Sequence, residues 1–278
     1  MVKRIVTAVV SLILLVTVCV IPGDIVFSVV FGALALAGVY EMLGCIRARR
    51  NFVIALCMYA MTILSVVLVH TVSRHALFIT AYAGILFVVL LILFATAVFS
   101  HGEVPVDKVC IAFTTCAYLI TGFLSIILLR DMEKGKYIYL LAFIGPWVSD
   151  TFAYFCGRLL GKHKLIPDVS PKKTVEGCIG AIVFTALGCM LYFVAVGRIS
   201  GGDVHQNLFI WAGVGVVISV VSQIGDLIFS LIKRRYELKD YGFIFPGHGG
   251  VLDRFDSVIA TAPLILIACE SLAKLGML

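Results

Sequence analysis

Long runs of apolar residues, separated by short polar stretches, make up most of the chain. Each run has about the 20 residues that an α-helix needs to cross the hydrocarbon core of a bilayer, and the polar stretches mark where helices leave it. The pattern predicts an all-α, polytopic integral membrane protein with about nine transmembrane helices. The predicted spans are residues 5–21, 25–43, 52–69, 76–99, 109–129, 137–155, 176–196, 207–229 and 252–273.

Composition excludes the soluble classes of protein. The chain is 62% hydrophobic and 14% charged, whereas globular chains are about 45–50% apolar, even with glycine counted, and about 25% charged. Nine helices of about 20 residues would occupy roughly 180 of the 278 residues. The rest is too short for a sizeable domain outside the membrane, so any chemistry must lie in short loops and on the helices.

Positive charge predicts how the helices are oriented. The first run follows Lys3 and Arg4 and ends without an A-x-A-like cleavage site, so we interpret it as a span rather than a signal peptide. With the N-terminus inside, fifteen loop Lys and Arg residues face the cytoplasm and five face the other side. The two longest polar loops, 156–176 and 230–256, then become two functional cytoplasmic loops. A one-span error before residue 130 would invert this orientation.

Polar residues are unevenly distributed between the two halves of the chain. Residues 1–128 are mostly apolar helix, whereas unusual polar side chains collect between Ser149 and Asp256. We therefore predict an N-terminal transmembrane anchoring half, residues 1–130, and a C-terminal transmembrane catalytic half, residues 131–278. We attribute the net charge of +6 to residues that flank the spans, and we expect no nucleic-acid partner.

Several carboxylates lie in or beside apolar sequence. Asp150 and Asp226 fall within predicted spans, and Asp253 and Asp256 open the last one. A charge at the bilayer centre costs about 2.5–3.5 kcal/mol on insertion scales, so these residues require a bound cation or a water-filled cavity. Oxygen ligands suit a hard cation such as Mg²⁺, and the nine cysteines contain no CxxC pair that would favour zinc. For Asp253, a salt bridge to Arg254 or to loop lysines is an open alternative.

The loop 156–176 carries residue types that bind phosphate. Its Lys, Ser and Thr side chains supply donors, and its glycines let the backbone approach an anion. The residue order is not that of a Walker A loop. A positively charged flanking loop is the alternative, which we favour for Lys162 and Lys164.

The loop 230–256 contains a glycine-rich turn, PGHGG, at residues 246–250. The glycines permit close backbone approach. Arg234 and Arg254 suit bidentate phosphate recognition better than lysine would. His248 is open to two interpretations, a contact with phosphate or proton transfer on one side and an incidental polar contact on the other.

Three stretches of the C-terminal half together resemble one known family. Residues 230–256 read SLIKRRYELKDYGFIFPGHGGVLDRFD and resemble the signature of phosphatidate cytidylyltransferases, the membrane enzymes that make CDP-diacylglycerol. The other two stretches are Ser149-Asp150-Thr151 with Gly157-Arg158 and Ser170-Pro171-Lys172-Lys173-Thr174-x-Glu176-Gly177, and Gln223-x-Gly225-Asp226. The N-terminal spans match the family only in being apolar.

The resemblance implies a reaction of phosphatidic acid with CTP that gives CDP-diacylglycerol and pyrophosphate. It implies Mg²⁺, and K⁺ as a second ion, with CTP, phosphatidic acid and the lipid bilayer as partners. The implied location is a multi-pass protein of the cytoplasmic (inner) membrane whose active site faces the cytoplasm, and a homodimer is an open possibility.

The implied site residues fall into three groups. The metal ligands are Asp226, Asp253 and Asp256. The catalytic residues are Asp226, Asp253, Lys233, Arg254 and His248. The substrate-binding residues are Ser149, Asp150, Ser170, Lys172, Lys173, Thr174, Glu176, Ser230, Arg234, Lys239, Asp240, Gly249 and Gly250. Because a lipid phosphate is already anionic at neutral pH, its attack on the α-phosphorus requires no general base, and His248 need not be one.

Two other functions remain open. A CTP-dependent lipid kinase would transfer the γ-phosphoryl group to an alcohol, but the HGGxxDRxD block at residues 248–256 disfavours it. A transporter would use the carboxylates as a cation pathway. That function leaves the phosphate-binding loops unexplained.

Overall fold

A computed structural model describes residues 17–18, 23–72, 75–132, 135–200, 208–244 and 249–275. Within these ranges, eight long helices are each long and apolar enough to cross a membrane, which confirms the all-α polytopic prediction. The helices are α1 Asp24–Cys45, α2 Phe52–Thr71, α3 His75–Phe99, α4 Val106–Asp131, α5 Gly135–Leu160, α6 Val175–Ser200, α7 Leu208–Arg235 and α8 Leu252–Lys274. Most of the predicted span 5–21 lies outside the described residues, so a ninth span stays a prediction.

Two helices continue past the ends that hydropathy predicts. Helix α5 ends at Leu160 rather than near residue 155, and α7 ends at Arg235 rather than near residue 229. Hydropathy marks where a chain leaves the hydrocarbon core, whereas backbone hydrogen bonding continues for one or two turns beyond it. The polar segments are therefore shorter than predicted, and Arg158 and Lys233 lie on helices.

A short β-hairpin occupies the segment that we predicted as an irregular loop. Strand β1, Lys164–Ile166, pairs antiparallel with β2, Ser170–Thr174, and Lys164 lies opposite Thr174. Pro167 and Asp168, which favour turns, lie between the strands. Strand β2 leads directly into α6, and the Thr174 hydroxyl accepts a hydrogen bond from the Gly177 N–H at 3.2 Å, as an N-cap does.

The chain divides into two compact units, and the first comprises residues 1–128 and 235–255. In it, α1 packs against α2 and α2 against α3. Phe31, Met58 and Met61 are completely buried in its core. Gly38 of α1 allows the start of α8 to come close, because a Cβ there would lie 3.1 Å from Leu252 Cδ2.

The second unit comprises residues 129–234 and 256–278. Helix α5 packs along α6, with the Phe152 and Phe184 rings stacked at 4.1 Å between centroids. Ser149 of α5 and Ser219 of α7 form a buried hydrogen bond of 2.9 Å. This unit holds most of the predicted site residues, and the predicted division into an anchoring and a catalytic half stays a prediction.

Candidate active site

Three carboxylates meet in the second unit. Asp150 of α5, Asp226 of α7 and Asp256 of α8 lie close enough for their like charges to interact. Lys173 of β2 places its ammonium nitrogen 2.6 Å from Asp226 Oδ2. We refer to these four side chains as the carboxylate cluster. A lysine among three carboxylates offsets part of their mutual repulsion.

A glycine lets the helices that carry two of these carboxylates approach each other. A Cβ at Gly225 would overlap the Ala260 Cβ and would lie 3.1 Å from the Asp256 carbonyl oxygen. Because Gly225 has no side chain, the backbone of α7 next to Asp226 packs closely against the part of α8 that runs from Asp256 to Ala260. The Ser257 N–H donates to Asp256 Oδ1 at 2.8 Å and fixes that carboxylate.

A chain of polar contacts supports Lys173 from within the helices. The Gln223 amide nitrogen donates to Ser219 Oγ at 3.2 Å and to the Cys178 carbonyl at 3.4 Å. The backbone carbonyl of Gln223 accepts a hydrogen bond from Lys173 Nζ at 3.4 Å. Because Ser219 also bonds Ser149, this network links α5, α6 and α7 to the hairpin. It places the lysine beside the carboxylates.

Two predicted substrate-binding residues hold the hairpin in place. Glu176 accepts hydrogen bonds from the His163 backbone N–H at 3.2 Å and from His163 Nδ1 at 2.7 Å. Thr174 is buried among glycines, since a Cβ at Gly157 or Gly161 would lie within 3 Å of its hydroxyl. His163, at the start of the hairpin, was not singled out from the sequence.

Asp253 contacts the backbone of the segments that precede α8 in the first unit. Its Oδ2 accepts hydrogen bonds from the Tyr241 N–H at 2.8 Å and the Gly250 N–H at 2.9 Å. Gly249 has φ of +89°, and a Cβ there would lie 3.2 Å from the Asp253 Cγ. Gly249 therefore lets the backbone approach this carboxylate closely.

Glu41 of α1 is a buried acidic residue that the sequence analysis missed. Its side chain is 2% exposed, and its two oxygens accept hydrogen bonds from the Val251 and Leu252 N–H groups, each at 3.0 Å. Residues 1–128 are mostly apolar helix, and no site residue is predicted among them. The signal that identified Asp226, an acid within an apolar run, applies equally to Glu41.

Comparison with known proteins decides the family. The profile of the Cytidylyltransferase family matches residues 2–272. The chain belongs to this family. The match extends through the N-terminal spans, which the sequence analysis had related to the family only by their apolar character.

Curated relatives match a shorter stretch. A phosphatidate cytidylyltransferase of Staphylococcus aureus (strain COL) is 42% identical over 153 residues, 54% of this chain and 55% of the relative. One of Staphylococcus haemolyticus (strain JCSC1435) is 38% identical over 178 residues, 63% of this chain and 65% of the relative. The chain thus spans between about half and two thirds of the length of these relatives.

The donor set of the carboxylate cluster fits the divalent cation that the resemblance implies. Its ligand atoms are carboxylate oxygens, as Mg²⁺ prefers, and Ser230 Oγ lies 3.5 Å from Asp226 Oδ1. Over the described part of the chain, no three His, Cys, Asp or Glu side chains are placed to hold one ion directly. Asp226 and Asp256 belong to the second unit and Asp253 to the first. All three stay predicted ligands.

The remaining predicted residues lie mainly around the two polar segments. Ser170 and Lys172 are on β2, and Lys233 of α7 interacts electrostatically with Asp256. Gly249 and Gly250 both lie next to the Asp253 side chain. His248 lies outside the described residues. The exposed members of the predicted set are Asp150, Lys172, Arg234, Lys239, Asp240 and Arg254.

Proposed function

We propose that this protein is a phosphatidate cytidylyltransferase, which transfers the cytidylyl group of CTP to phosphatidic acid. The observation that carries the proposal is the carboxylate cluster, in which three membrane-spanning helices and a basic hairpin bring Asp150, Asp226, Asp256 and Lys173 together. Membership of the cytidylyltransferase family and the names of the relatives support it.

The membrane setting suits an amphiphilic substrate. The acyl chains of phosphatidic acid remain in the bilayer while its phosphate reaches the ends of α5 and α7. The exposed Lys172 and Arg234 supply positive charge near that level. By the positive-inside distribution we place this face in the cytoplasm, where CTP is present.

The chemistry follows from the charges of the reactants. An oxygen of the lipid phosphate attacks the α-phosphorus of CTP in line, the bond to the β-phosphate oxygen breaks, and pyrophosphate leaves. The nucleophile is already anionic, so catalysis depends on alignment and on stabilising charge that spreads over the phosphoryl oxygens. Lys173 and Lys233 supply positive charge for this purpose. Arg254 and His248 keep the roles that the resemblance gives them.

We further propose that Asp226 and Asp256 hold Mg²⁺, with Asp253 as the third ligand that the resemblance implies and K⁺ as a second ion. A bound divalent cation would supply Lewis-acid stabilisation of phosphoryl oxygens. Lys173 would then balance the negative charge that remains on the cluster.

Transfer of label from CTP to lipid tests the proposal. Purified protein in mixed micelles with phosphatidic acid and Mg²⁺ should move α-phosphate label from CTP into lipid. Asp226→Asn should lower kcat by at least about 10²-fold, as loss of a key electrostatic group does, and Asp253→Asn should do the same. Asp168→Asn, in the exposed hairpin turn, is the matched control.

Each alternative function predicts a different outcome. Lipid labelled from γ-phosphate but not from α-phosphate would show a CTP-dependent lipid kinase. Cation flux into vesicles without CTP would show a transporter. Full turnover in the Asp226→Asn protein would refute the assignment of the carboxylate cluster as the catalytic site.

A further inference from the structure

We propose that Glu41 is a positioning residue that sets the signature loop, defined here as residues 241–244 and 249–253, for catalysis. It acts through the backbone of this loop and so orients Asp253 and Arg254 at the start of α8. The catalytic part of this inference rests on the proposed cytidylyl transfer.

The burial of Glu41 is explained by what it contacts. The first backbone N–H groups of a helix have no partner within the helix, and its N-terminus favours negative charge. Glu41 satisfies two such groups, those of Val251 and Leu252, with one oxygen each. A carboxylate that is 2% exposed in a membrane-spanning helix is stabilised by this pairing. The contact joins α1 to α8 across about 210 residues of sequence.

Glycines in the signature loop leave room for this carboxylate. A Cβ at Gly250 would overlap both carboxylate oxygens of Glu41, and a Cβ at Gly242 would lie 2.8 Å from its Cδ. One turn before Glu41, Gly38 makes a similar close approach to Leu252. A side chain at Gly242 or Gly250 would therefore displace the Glu41 carboxylate from the position in which it accepts its two hydrogen bonds.

Glu41 and Asp253 divide consecutive N–H groups of one short segment between them. The Gly250 N–H donates to Asp253, and the next two N–H groups donate to Glu41. A shift of this segment away from Glu41 therefore also changes the contact that fixes Asp253. Glu41 thus controls the direction of a predicted catalytic side chain without contacting the substrate.

Amide exchange and kinetics of Glu41 variants test the inference. In Glu41→Ala, exchange of the Val251 and Leu252 amides should rise at least about tenfold, because both lose their acceptor. The kcat should fall about 10- to 100-fold, as small misplacements of reacting groups do, while KM for CTP changes less than about threefold. Glu41→Gln keeps one acceptor oxygen and should retain more activity than Glu41→Ala. Asp24→Asn, at the exposed start of the same helix, is the control and should change neither quantity.

A second variant disturbs the contact between Glu41 and the signature loop through a substitution in the loop. Gly242→Ala leaves the Glu41 carboxylate intact but pushes the loop away from it, so it should raise exchange and lower kcat in the same direction. If Glu41→Ala does not fold, the Gly242→Ala protein provides the test of the inference. Unchanged exchange in a folded variant would overturn the inference, and so would increased exchange with unchanged kcat.

The exchange measurement needs no turnover and therefore separates the two proposals. A wild-type protein that forms no CDP-lipid would refute the proposed function. Even then, protection of the Val251 and Leu252 amides from exchange would still test whether Glu41 contacts the signature loop.

Discussion

Replacing Gly225 by alanine should lower the proposed cytidylyl transfer while leaving the protein folded. Gly225 precedes Asp226 on α7, and an added Cβ would overlap the Ala260 Cβ of α8. The new methyl group would also lie 3.1 Å from the carbonyl oxygen of Asp256. The substitution therefore separates the two helices at the point where they bring Asp226 and Asp256 together.

The size of the effect follows from the overlap. Ordinary contact of a Cβ begins at 3.4 Å, so the helices must move apart by about 1 Å, and a misplacement of about 1 Å costs about 10²-fold in rate. Overpacking destabilises by about 1–3 kcal/mol. Alanine in place of glycine inside a helix stabilises that helix by about 1 kcal/mol. The net loss of stability should stay below about 2 kcal/mol, so the protein should remain folded.

Two further variants make the test specific. Gly213→Ala lies on the same helix, where an added Cβ meets nothing within 4 Å, and it should keep full kcat with equal or higher stability. Ala260→Gly removes the methyl group that the new Cβ would meet. Combined with Gly225→Ala, it should restore a large part of kcat, and the double mutant should be clearly non-additive.

The assay is transfer of α-phosphate label from CTP to lipid, with thermal denaturation in detergent to confirm folding. If Gly225→Ala matches Gly213→Ala in kcat, close packing of α7 on α8 does not align the carboxylates, and the reasoning fails. If Gly225→Ala is inactive but Ala260→Gly gives no rescue, the loss has another cause than this overlap.

Two more substitutions test how the hairpin is held. Thr174→Val removes the acceptor of the Gly177 N–H and should lower stability by about 1 kcal/mol, as loss of an N-cap does, whereas Thr174→Ser should not; thermal denaturation of the two proteins compares them. Lys173→Met leaves Asp226 without its ion pair and should destabilise by about 1–2 kcal/mol, because both groups are only partly buried. Lys172→Met, on the exposed face of the same strand, should change stability by less than about 0.5 kcal/mol in the same measurement.

The transmembrane architecture could be predicted from the sequence because each span carries its own signal. An apolar run of about 20 residues predicts a helix without knowledge of its neighbours. The ends of α5 and α7 were predicted too early because hydropathy falls where basic residues begin, although Arg158 and Lys233 continue the helices. The hairpin was missed because its two strands, of three and five residues, are too short to show a periodic pattern.

The contacts of individual site residues could not be predicted from spacing. Asp253 and Asp256 are three residues apart on α8, a spacing that places two side chains on one side of a helix. Asp253 accepts hydrogen bonds from Tyr241 and Gly250, while Asp256 lies near Asp226. The contacts that decide these directions join residues far apart in sequence. No local pattern contains them.

The buried Glu41 and the partly exposed Asp226 are stabilised in different ways, and this difference bears on function. Glu41 accepts hydrogen bonds from two backbone N–H groups, which move only together with the start of α8. Asp226 is matched by the flexible side chain of Lys173, which is 17% exposed and can exchange one anionic partner for another. A carboxylate that accepts hydrogen bonds from backbone N–H groups suits a supporting role. A carboxylate that pairs with a side-chain ammonium suits a site where charged substrates bind and leave. This difference supports the proposal that Asp226 lies at the site of reaction and that Glu41 has a supporting role.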